Sequence, residues 1–186
     1  GDEFKSSGKL QKAIDNYLNY FSSGGNNKNE KIEVSLSLAG LYSGMRNYIQ
    51  SVEYYNQYLD LQNDGKLKMD ILYILGDIYY RRLGNYPTAS EYLGQFVNLA
   101  EKEVFTENQE LIEIKHQKKI MSANYYLSAY YKSILNRNKE EEFLLKSYEN
   151  YLKIKGLNNS FQNKIDIKKN LIDGLRKKAL NNSEPL

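Results

Sequence analysis

An all-α chain, built as a solenoid of antiparallel helix hairpins with a helix capping its C-terminal end, is what the amino-acid sequence predicts, on three observations. The segment Ala13-Ile14-Asp15-Asn16-Tyr17-Leu18-Asn19-Tyr20-Phe21 returns as Ser51-Val52-Glu53-Tyr54-Tyr55-Asn56-Gln57-Tyr58-Leu59 and as Ala89-Ser90-Glu91-Tyr92-Leu93-Gly94-Gln95-Phe96-Val97. Each copy starts 38 residues after the last (51 − 13 = 38, 89 − 51 = 38), and a fixed period of this size marks stacked units none of which can bury its own apolar face. Apolar residues inside each unit recur at helical spacing. The composition agrees: of 186 residues 41% are hydrophobic, only Pro87 and Pro185 are proline, and 18 tyrosines stand against no tryptophan. A core of that size needs no disulfide or metal, so one domain over 1–186 is expected.

In chain order, the first repeat, 1–27, starts partway along its first helix, with Ser7-Gly8-Lys9 read as the turn to its second. The next, 31–65, pairs a helix over Ile32 to Ser43, with Leu38, Ala39 and Tyr42 on one face, with the copy that begins near Ser51; Met45-Arg46-Asn47 is the turn between them. The third, 66–103, pairs Leu67 to Arg82 with the copy at Ala89. Its turn is Leu83-Gly84-Asn85, and Pro87 falls in a first helical turn, where a missing N–H costs nothing. Ser22 to Asn27 and Asn63-Asp64-Gly65 read as loops between units. A fourth, looser copy, 106–156, is Leu127-Ser128 with Tyr131, then Leu144, Tyr148, Tyr151 and Leu152. Matching Leu144 to Ala89 (144 − 89 = 55) implies about 17 residues inserted within Glu101 to Met121. Thr106-Glu107-Asn108-Gln109 reads as a capping box, so the first helix of this unit is expected to be several turns longer than its counterparts. A capping helix over 160–180 completes the reading.

Leu75-Gly76 with Tyr79, Gly84, Tyr86, Ala89, Leu93 and Phe96, and Leu38-Ala39 with Tyr42, Tyr48, Ser51, Tyr55 and Tyr58, resemble the tetratricopeptide repeat family. The resemblance covers about residues 1 to 155 and implies a right-handed superhelix whose inner wall, lined by the first helix of each hairpin, binds a protein segment. Where the commonest repeats carry Ala, this chain has Tyr20, Tyr58, Phe96 and Tyr151. That ending is similar to the repeats of bacterial cell-envelope proteins, such as outer-membrane assembly lipoproteins and Tol–Pal coordinators, although the Tyr-Pro linker usual there is missing. The resemblance therefore implies a scaffold in envelope complexes, on the periplasmic side rather than in the cytoplasm.

On that implied inner wall stand Glu33, Leu36 and Gly40, then Asp70, Tyr73, Asp77, Tyr80 and Arg81, then Tyr125, Ala129 and Lys132. Tyr73, Asp77, Tyr80 and Arg81 share a helix face by their spacing, and aromatic and Arg side chains are the types that anchor partners. The expected partner is a protein or peptide segment with apolar and basic residues, and a second copy of this chain stays open as another. The alternative surface is the basic side of the last helix, with Lys164, Lys168, Lys169 and Arg176, which would suit RNA or anionic membrane.

Catalytic constellations are missing from the sequence. His116 is the only histidine and there is no cysteine, which rules out His-rich metal sites and thiol chemistry; His116 is read as lying on a solvated helix face. Gly8-Lys9 and Gly65-Lys66 lack the rest of a phosphate-cradling loop. Glu140-Glu141-Glu142 points in different directions from one helix start and suits its positive end better than it suits a cation. The expectation is a non-enzymatic protein with no cofactor. A formal charge of +3 from 26 basic and 23 acidic residues mixed along the chain disfavours nucleic acid. No apolar run reaches the roughly 18 residues that span a bilayer, so a membrane is expected only through a partner or an anchor outside this chain.

Overall fold

The computed structural model describes residues 2–23, 27–103 and 110–154, and the side chains of 8–23, 27–103 and 113–154. Among the described residues there are seven helices and no strand. They fall into two compact units, residues 1–85 and 86–186. The first holds α1 (Asp2–Ser22), α2 (Lys28–Gly44), α3 (Tyr48–Leu61) and α4 (Gly65–Arg81); the second holds α5 (Tyr86–Ala100), α6 (Glu110–Ser133) and α7 (Arg137–Lys153). Neighbours in sequence are neighbours in space: α1 on α2, α2 on α3 and α3 on α4 in the first unit, α5 on α6 and α6 on α7 in the second.

Short polar side chains start these helices by accepting the first unpaired N–H groups. Asn27 takes the N–H of Asn29 at 3.0 Å, and Asp64 takes those of Lys66 and Leu67 at 2.8 and 3.4 Å. Gly65, expected in the loop, is thus the first residue of α4.

The turns α2–α3, α4–α5 and α6–α7 repeat one backbone device. Arg46, Gly84 and Leu135 take left-handed φ of 61°, 65° and 58°, a backbone conformation that is easy only for glycine. An asparagine follows each: the N–H groups of Asn47, Asn85 and Asn136 donate to the carbonyls of Tyr42, Tyr79 and Tyr131, all at 2.9 Å. Asn47 and Asn136 then turn their own side-chain oxygens onto the N–H groups of Gln50 (3.4 Å) and Lys139 (3.3 Å). One residue therefore closes the outgoing helix and opens the returning one.

These turns correct the register of the fourth copy. Gly84 follows Arg46 by 84 − 46 = 38 residues, and Leu135 follows Gly84 by 135 − 84 = 51, not 55. On that spacing Leu144, Ser147 and Tyr148 stand where Leu93, Phe96 and Val97 stand in α5, and all six are buried. Glu140 takes the place of Ala89. The slip is about one helical turn, which leaves the apolar stripe on the same face. Helix α6 has 24 residues against 17 in α2 and α4, about two turns more.

A second correction concerns the start of the chain. Ser7-Gly8-Lys9 is no turn; α1 runs unbroken from Asp2 to Ser22. A glycine inside a helix costs only about 1 kcal/mol relative to alanine, less than ending the helix there and restarting it. Ala13 is half-buried, and Ile14 is fully enclosed, packed with Val34 and Leu38 among Tyr17, Leu18, Phe21 and Tyr42.

Between α2 and α3, the Ser51 hydroxyl is buried and donates to the Ala39 carbonyl at 2.9 Å. Serine at the small-residue position thus permits the close approach that Ala39, itself 0% exposed, also serves. Tyr42 and Tyr54 stack at 5.6 Å between centroids; burial, then the neighbouring Tyr42 and Glu53, push the Tyr54 phenol above its ordinary pKa. The Ser147 hydroxyl makes a matching bond from α7 to the Met121 carbonyl of α6 at 3.0 Å. The expected capping box at Thr106 and capping helix at 160–180 lie outside the described residues.

Candidate functional site

Helix α4 buries Met69, Ile71, Leu72, Leu75, Gly76 and Ile78, which leaves Asp70, Tyr73, Asp77, Tyr80 and Arg81 along another stripe. Asp70 and Arg81 are exposed, and Tyr73, Asp77 and Tyr80 are half-buried. The structure joins two of them: Arg81 Nε lies 2.6 Å from Asp77 Oδ1 and Arg81 Nη2 donates to Oδ2 at 2.7 Å, a two-pronged ion pair one helical turn long. The guanidinium is half in solvent, so the pair contributes at most about 1 kcal/mol. Its consequence is orientation, because the planar fork is held along the helix.

On α2, Glu33, Leu36 and Gly40 are exposed and share a stripe opposite the buried Val34, Leu38 and Ala39. Nothing lies within 4 Å of where a Gly40 Cβ would stand, so this glycine serves no close packing and leaves bare helix backbone facing outward. Gly40→Ala is expected to stabilise the first unit by about 1 kcal/mol through helix propensity alone; a lower thermal midpoint would show that the site is crowded after all. Tyr125 and Ala129 are half-buried and Lys132 is exposed on α6 in the second unit, where Tyr125 meets Tyr126 edge-on at 6.1 Å. Lys164, Lys168, Lys169 and Arg176 lie outside the described residues.

His116 is a correction. It is buried, its Nε2 donates to the Ala100 carbonyl at 3.0 Å, and its ring meets Phe96 edge-on at 6.3 Å. The carbonyl belongs to the last turn of α5, where no further helical N–H follows. The histidine that the apolar pattern sets on a wet face is therefore a strut between α5 and α6. Glu142 pairs with Lys146 at 3.1 Å, one turn along α7.

The pattern also passes over the turns between helices. Four of the five arginines, Arg46, Arg81, Arg82 and Arg137, stand at or beside them, and the Arg82 guanidinium sits 5.5 Å from the centre of the Tyr48 ring. The crowding of a rare residue type within three residues of the turns at Arg46, Gly84 and Leu135 was the available signal.

Among the described residues no three His, Cys, Asp or Glu side chains group as a metal site, and no helix is long and apolar enough to cross a membrane. Comparison with known protein families, curated proteins and solved structures gives no match.

Proposed function

We propose that this protein is a non-enzymatic interaction scaffold of tetratricopeptide type, which holds a segment of a protein partner against the exposed stripes of α2 and α4. The observation that carries this reading is the stripe on α4, where the oriented Asp77–Arg81 pair lies beside the half-buried rings of Tyr73 and Tyr80. Rings already half packed lose little freedom on binding, and aromatic and arginine side chains dominate the energetics of interfaces. Glu33, Asp70 and Asp77 outnumber Arg81, so these stripes suit a segment carrying lysine or arginine among apolar residues. A role in assembling complexes of a bacterial envelope goes with the family resemblance, as part of the same proposal.

Exchanging the pair, Asp77→Arg with Arg81→Asp, keeps an ion pair at the same spacing while inverting the pattern that a partner reads. Thermal stability should change by less than about 1 kcal/mol. Crosslinking in the source cells, followed by quantitative mass spectrometry, should then recover the wild-type partner in much reduced yield. Equal recovery would remove α4 from the interface.

A further inference from the structure

We propose that the α6–α7 turn is a membrane-contacting tip whose apex enters the headgroup region of an anionic bilayer. The apex is Ile134-Leu135, 51% and 87% exposed. Stability does not account for that choice: Leu135 has a φ of 58° and the α4–α5 turn meets the same demand with Gly84, whereas a leucine there bears backbone strain and leaves its side chain in water. Nor does it account for the charges. Lys132 suits the C-terminal end of α6, and Glu140 suits the positive end of α7, but Arg137 and Lys139 stand ahead of Glu140 in that first turn, nearer the apex, where the same positive end disfavours cations.

The geometry arranges these groups in layers. Two large aliphatic side chains lead from the end of a helix hairpin, with Lys132, Arg137 and Lys139 just behind them. Lys139 is placed there by Tyr131, over whose ring its Nζ lies at 4.8 Å, and Tyr131 is fixed in turn by stacking on Phe143 at 5.4 Å. Apolar groups at the acyl boundary and cations at phosphate depth are the order in which a bilayer surface presents its own layers. A protrusion fits a deformable surface; an acidic protein would need a matching hollow. The α2–α3 turn of the first unit has the same chemistry, with Ile49 68% exposed near Arg46.

Co-sedimentation of the whole chain with phosphatidylcholine vesicles, with and without phosphatidylglycerol, tests the proposal. Binding is expected only to the mixed vesicles and should weaken as salt rises. Arg137→Gln should lower the partition coefficient about fivefold, the effect of one cation near an anionic surface. Leu135→Gly should lower it roughly tenfold while leaving the thermal midpoint equal or higher, so that lost binding cannot be lost folding. The proposal is overturned if wild-type protein fails to sediment, sediments equally with neutral vesicles, or binds as well with glycine at 135. It is overturned equally if only Lys164→Glu with Lys168→Glu and Lys169→Glu abolishes binding, or if the tip captures an acidic protein and no vesicle.

Discussion

His116→Ala should lower the stability of the second unit, residues 86–186, by about 3 kcal/mol, equivalent for a unit of that size to a fall of roughly 12–24 °C in its unfolding midpoint. Two losses combine. The ring is buried against Phe96, and truncating it leaves a void whose lining recovers only part of its contacts. The Ala100 carbonyl loses its donor at 3.0 Å at the end of α5 and keeps the longer bond from the Glu103 N–H at 3.2 Å, so the lost hydrogen bond costs about 1 kcal/mol. His116→Gln, which keeps a donor of similar reach, should recover part of the loss. A histidine on a solvated face would make both substitutions neutral, so a change under about 0.5 kcal/mol for His116→Ala would refute the strut.

Asn124→Ala should act in the opposite direction and stabilise the same unit by about 1–2 kcal/mol. Asn124 is 0% exposed on α6, and neither its amide nitrogen nor its amide oxygen has a hydrogen-bond partner. Enclosing both ends of an amide without partners costs about 1–3 kcal/mol each by mutational measure. Alanine removes that cost and gains roughly 0.6 kcal/mol of helix propensity, against a small void. Truncation of a fully enclosed residue ordinarily destabilises, so the sign is diagnostic. A fall in the midpoint of chemical unfolding would mean that the amide is hydrogen-bonded in solution.

Several features were legible in the residues because they rest on local chemistry. Asn47 and Asn85 follow turn residues placed 38 apart, and the backbone bonds that they close need nothing beyond the turn itself. The stripe on α4 followed from helical spacing, but the coupling of Asp77 to Arg81 within it needed coordinates to be seen. The α1 turn was misread because Ser-Gly-Lys is equally compatible with a loop and with one weak point in a long helix.

The sequence by itself determined the helical class of the described residues, the turns at Met45–Asn47 and Leu83–Asn85 and the apolar stripe of most helices, because these depend on periodicity and on backbone groups that residues satisfy locally. Only the tertiary structure decided which turn of α7 faces its neighbour and that His116 points inward. A displacement of one turn returns the same side chains to the same face, so a single helix cannot distinguish the two registers. The distinction arises when a particular carbonyl on α5 or α6 finds, or fails to find, a side chain within reach.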